Sequence, residues 1–173
     1  MAWVPVTVND RGQVEALVVD LRALAESTRD MSEPLTIVIA RILGAVRKQY
    51  ETAGAEAGYP WAELTPKYRR WKEKRGPGLP LLFGLRRTGP KGQRPQTYAP
   101  SGRMLAESTS YRDVHVSPTR AIYAPLSETL GWHEFGTTHM VARPPVLFSR
   151  REEEEWPQVF VQWINAQIVA AGL

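Results

Sequence analysis

The sequence predicts an α+β fold: a small, mainly antiparallel sheet packed against two long N-terminal helices and a C-terminal helix. Apolar residues recur at helical spacing in three segments, Gly12–Ser27, Glu33–Thr52 and the stretch after Ser149. Alternation at period two marks Tyr111–Ser117 and Arg120–Tyr123. Between these sets, residues 76–100 hold five prolines and five glycines, punctuation too dense for a regular element. The chain has 173 residues, which suits one domain able to bury a core without disulfides or metal.

Each element has a local reason. Trp3–Val8 reads as a short strand because Val4, Val6 and Val8 alternate, and Pro5 places it at an edge. The first helix carries Val14, Leu17, Val18, Leu21, Leu24 and Ala25 on one stripe, with Asn9 or Asp10 as its cap. The second takes Ser32 as N-cap and holds Pro34 in its first turn, where a missing N–H does no harm. Its stripe is Leu35, Val38, Ile39, Ile42, Leu43 and Val46, and Gly54 and Gly58 end it. These two helices are expected to supply most of the core. Thr65-Pro66 is an N-cap before a favoured first residue, so a short basic helix should run from Pro66 to Lys74. Tyr68, Trp71 and Arg75 then fall about one turn apart. The segment at about 76–100 is expected as a long basic loop. Ser101 is expected to cap a short helix at Gly102–Ser108, and Ser117, Pro118 and Thr119 to link two strands in a tight hairpin. From Ser127 to Val146 we expect a helical turn, a bend at Gly136 and a third strand near Met140–Ala142. Ser149 with Glu152 is a capping-box pattern. The helix it opens has Trp156, Val159, Phe160, Trp163, Ile164 and Ile168 on one face, and Pro157 predicts a kink or a later start.

Composition narrows the function. Cysteine is absent, which excludes thiol catalysis, disulfides and cysteine-ligated zinc. Asn9, Asp10 and Arg11 interrupt the N-terminus, so no signal peptide is expected. No apolar run approaches the ~18 residues of a membrane span. Net charge is +4, from 22 basic and 18 acidic residues, unevenly placed. From Lys67 to Arg103 the one acid is Glu73, whereas Glu152–Glu155 is a run of four acids. Such zones bind nucleic acid, pair between subunits or simply face water. Lys67–Arg75 interleaves bases with Tyr68 and Trp71, a mixture that suits phosphates and stacked bases, or a core anchor with its arginines in water.

The stretch HEFGTTHMVARPP, His133–Pro145, raises the question of a metal. A zinc-protease helix needs histidines four apart. His133 and His139 stand six apart, about 240° around a helix, and Gly136 between them discourages one. Glu107, Asp113, Glu128 and Glu134 show no acid–base pairing, and no phosphate-cradling glycine motif is present. No enzyme activity, cofactor or metal is expected. The plain reading packs His133 beside Trp132 and Phe135, with His139 in a surface turn.

Four blocks in order resemble the phage virion morphogenesis family, the tail completion proteins of tailed bacteriophages. An N-terminal strand and two helices come first. GYPWAELTPKYRRWK (Gly58–Lys72), SGRMLAESTSYRDVHVSPTRAIYAP (Ser101–Pro125) and HEFGTTHMVARPPVLFS (His133–Ser149) follow, the last being the most specific. The resemblance covers about residues 3–170. The sequence departs from it in a longer stretch at Pro77–Pro100, in Pro145-Val146 where an aromatic is common, and in residues inserted at Leu126–Trp132. The resemblance implies a structural virion protein that joins tail to head as a ring, expected hexameric, at the top of the tail tube. Its implied partners are its own copies, the major tail tube protein and head–tail connector or adaptor proteins. DNA would pass through the lumen without tight binding. The implied location is the virion neck, and the host cytoplasm during assembly. Candidate interface residues are Trp61, Tyr68, Arg86, Arg87, His133, Phe135, Gly136, Arg143, Pro144, Glu153 and Glu154. The alternative is a basic nucleic-acid-binding module.

Overall fold

The computed structural model describes residues 11–75, 84–88, 98–125 and 128–173. Its class is α+β. Helix α1 is Arg11–Ser27, α2 is Ser32–Thr52 and α3 is Pro66–Glu73. Strands β1 (Gly84–Arg87) and β2 (Tyr98–Ser101) pair antiparallel. Helix α4 (Arg103–Ser108) leads to a second antiparallel pair, β3 (Val114–Ser117) and β4 (Arg120–Tyr123). Helices α5 (Glu128–Phe135) and α6 (Arg150–Ala170) complete the order. The strand expected at Trp3–Val8 lies outside the described residues. No helix among them is long and apolar enough to cross a membrane.

Helix α2 is the centre of the fold. It packs against α6, α4, β3 and β4, and buries Pro34, Ile39, Leu43, Ala45, Val46, Gln49 and Tyr50. Around its second half Val46 and Tyr50 cluster with Trp61, Met104 and Leu130, flanked by Tyr123, Val146 and Phe148. Tyr50 and Trp61 meet edge to face, with centroids 5.6 Å apart, the arrangement ring quadrupoles favour. The Ser108 hydroxyl donates to the Tyr50 oxygen at 3.1 Å. Burial pushes the Tyr50 hydroxyl up to about 12. On α6, Val159 and Trp163 are buried, and the Trp163 Nε1–H donates to the Glu33 carboxylate at 3.2 Å. The Met31 N–H donates to the Pro118 carbonyl at 2.8 Å, docking the β3–β4 turn at the start of α2.

Several expectations need correction. Helix α1 buries none of its described side chains and packs against α6, so it is not a main source of core. The expected loop at about 76–100 contains a ribbon: the run Leu85-Arg86-Arg87 has no proline, and among the described residues the sheet has two strands, so Pro100 opposite Leu85 lies on an edge strand. Ser101 belongs to β2, and α4 starts after Gly102 without a side-chain cap. Tyr111–Asp113 forms a 3-10 turn, because the Ser110 hydroxyl accepts the Arg112 N–H at 3.1 Å. Ser32 is the first residue of α2, and its N–H donates to the Asp30 carboxylate at 2.9 Å. In place of a third strand, Thr137 and Met140 make an isolated bridge. Pro157 sits inside a helix that begins seven residues earlier, at Arg150, so the later start does not occur. The Thr65 cap and the Ser149–Glu152 capping box form as expected.

Candidate subunit interface

The stretch from His133 to Pro145 is assembled from its backbone outward. Leu130, His133 and Glu134 share one side of α5 at helical spacing; Leu130 is buried and the other two half-buried. Trp132 and Phe135 fall on the opposite side and are 47% and 85% exposed. Helix α5 ends at Phe135 because Gly136 takes φ +73. A Cβ there would meet the Ala142 N and the Met140 O at 2.9 Å each, so the returning strand of the turn lies directly against it. Thr137 and Met140 exchange backbone bonds of 2.8 and 3.2 Å across the turn. His139 is exposed at its tip.

Arg143 fastens this turn to the molecule. Its N–H donates to the His133 carbonyl at 2.7 Å. Its buried guanidinium donates from Nε to the Ala62 carbonyl at 2.6 Å, and from Nη2 to the Glu63 carbonyl at 2.9 Å. The planar fork reaches two successive carbonyls from two separate nitrogens held in fixed geometry, where a lysine offers a single nitrogen on a flexible stem. Trp61 answers from the other side, its Nε1–H donating to the Pro144 carbonyl at 3.0 Å. Gln49 donates to the Leu147 carbonyl at 3.1 Å. Gly54 makes room for this clasp: at φ +83, a Cβ would lie 2.7 Å from the Trp61 ring. Trp61, Arg143 and Pro144, three candidate interface residues, therefore hold the subunit together from inside.

The titratable groups here respond to burial. Burial, with the Arg143 guanidinium second, lowers the His133 imidazole below its ordinary range. The His133 Nδ1 is buried without a hydrogen-bond partner. Burial raises the Glu134 carboxyl, opposed in part by the Val146 N–H that donates to it. Among the described residues no three of His, Asp and Glu stand together as a metal site.

The other candidates lie elsewhere. On α3, Tyr68 stacks on Trp71 with centroids 5.4 Å apart, and the Arg75 guanidinium lies 4.6 Å from the Trp71 ring centre. Lys67, Arg69, Arg70 and Lys74 are exposed, whereas Lys72 is buried. Arg86 and Arg87 stand on β1 opposite Ala99 and Tyr98. At the start of α6 Glu152 closes the capping box, Arg150 pairs with Glu154 at 2.9 Å, and Arg151 pairs with Glu155 at 2.6 Å. The acidic zone is thus balanced within its own helix, and Glu153 is the member outside these bonds.

The residues missed as surface are Val14, Val18 and Leu21, whose stripe pointed to the core, and Trp132. No signal in a single sequence separates a stripe that meets its own core from one that faces outward. Comparison with protein-family models, curated proteins and solved structures finds no match.

Proposed function

We propose that the protein is a structural virion component that completes a phage tail and joins it to the head. In this reading its copies form a ring, hexameric by the family resemblance, at the top of the tail tube. It contacts the tube protein on one side and connector or adaptor proteins on the other, with DNA passing through the lumen. The observation that carries the reading is Phe135, 85% exposed at the end of α5 within a turn that Arg143 and Gly136 hold in place. A large ring kept in water on a braced turn is a docking feature, since exposed apolar patches mark association sites. The order of the four sequence blocks supplies the phage context. We assign no catalytic role and no cofactor.

The test is electron microscopy of lysates from a phage carrying a stop codon at Trp61 of this gene. Full heads beside unjoined tails support a joining role, and overlong tails a terminating one. Normal infectious virions would sink the reading. A nucleic-acid-binding module is the second reading, favoured by the Tyr68–Trp71–Arg75 stack amid the bases of α3. It requires DNA binding that weakens steeply as salt rises.

A further inference from the structure

Two apolar surfaces stand uncovered on the described chain, on different elements and of different shape. One is a knob. Trp132 and Phe135 project from the outer side of α5, which packs inward on α4. The other is a face. On α1 the half-buried residues are Leu17, Asp20 and Leu24, along one edge of the stripe. The rest of the stripe, Leu21 and Val14 at its middle and Val18 at its far edge, is 49%, 43% and 39% exposed. Ile164 and Val161 add exposed apolar surface on α6, the helix against which α1 packs. The helix is thus seated by an edge, with its most apolar line turned outward.

We propose that the two surfaces meet between copies of this chain: Trp132 and Phe135 of one subunit pack on the Val14–Val18–Leu21 face of the next. The inference rests on the ring reading and names its contact. Knob and face differ, so the contact is head to tail, and each copy uses both surfaces once. Such contacts propagate and close into a ring when the rotation allows. Face against face would stop at two copies and leave Phe135 in water. The areas are commensurate. At roughly 200 Å² per aromatic side chain, the exposed parts of Phe135 and Trp132 amount to roughly 250 Å². A stable contact buries about 800 Å² per partner, of which about 450 Å² is apolar. The two rings would supply more than half of that and act as its anchors.

The experiment measures the mass of the full chain in solution, by light scattering behind a sizing column, for wild type, Phe135→Asp, Leu21→Asp and an equimolar mixture of the two variants. Wild type should form assemblies larger than two copies, and each variant alone should be monomeric. The mixture holds one intact knob and one intact face, so it should yield one-to-one pairs and nothing larger. Phe135→Ala should weaken assembly by roughly 30-fold or more. Circular dichroism checks the fold, and Val14→Asp replaces Leu21→Asp if that variant loses helix. Assembly of wild type that Phe135→Asp leaves unchanged overturns this contact but spares the ring. Two monomeric variants whose mixture stays monomeric also overturn it, as does a wild type that stops at dimers. A wild type monomeric well above micromolar concentration overturns the ring reading as well.

Discussion

Gly136 and His133 show how closely the turn is specified by single side chains. Any side chain at Gly136 meets two backbone atoms at 2.9 Å and must also hold φ +73. Gly136→Ala should therefore cost about 1–3 kcal/mol, read from urea unfolding; a loss under about 0.5 kcal/mol would mean that the turn relaxes freely. For His133 the sign follows from burial. Its folded pKa lies below the ordinary value, about 6.5 in an unfolded chain. The unfolded state therefore takes up a proton first. This group's contribution to stability falls as pH drops below about 6.5, and levels off below the folded pKa. Glu134, raised by burial, acts oppositely: its contribution falls as pH rises above the ordinary carboxylate range. Between about pH 7 and pH 5, the urea midpoint of His133→Gln should fall less than that of wild type. Equal slopes would remove His133 from the account.

Among the elements, the Thr65 and Ser149 caps and the buried stripe of α2 were legible, whereas the ends read at Ser32 and Ser101 and the outward face of α1 were not. Thr65 and Ser149 cap α3 and α6 because a cap needs only residues within one turn. The β1–β2 ribbon was hidden because its strands are short and separated by the prolines that signalled a loop. Pro157 tests the economy of α6. It is exposed inside the helix, where proline is about 3 kcal/mol less favourable than alanine. Its restriction of the unfolded chain returns at most about 1 kcal/mol. Helix propensity is the larger effect, so Pro157→Ala should stabilise the protein by about 2 kcal/mol. A variant no more stable than wild type would show that α6 is bent around the proline to other advantage.

For the whole molecule, the choice lies between an ionic and an apolar contact. The basic run from Lys67 and the acids Glu153 and Glu154 suggest charge pairing between subunits. Arg150 and Arg151, however, engage Glu154 and Glu155 on the same helix. Exposed pairs are worth ~1 kcal/mol or less and are screened by salt; apolar burial is not weakened in that way. The assembled mass should therefore hold between low salt and about 0.5 M NaCl, where the Debye length is well under 10 Å. Glu153→Lys should change it little. Dissociation as salt rises would restore the ionic contact.

Local chemistry in the sequence was enough to locate the helices, the Thr65 and Ser149 caps and the β3–β4 hairpin, and to mark His133–Pro145 as a turn. It also established that apolar stripes exist. Which stripe meets the core depends on contacts between residues far apart in the chain. The Arg143 fork reaches Ala62 across 81 positions, Trp61 reaches the Pro144 carbonyl across 83, and Gln49 reaches Leu147 across 98. Those bonds draw Trp61, Arg143 and Pro144 inward, and the same α5 geometry that buries Leu130 turns Trp132 and Phe135 out. Helix α1 followed the same logic: α2 already supplies one side of the core and α6 another, leaving α1 an edge to rest on and an apolar face in water.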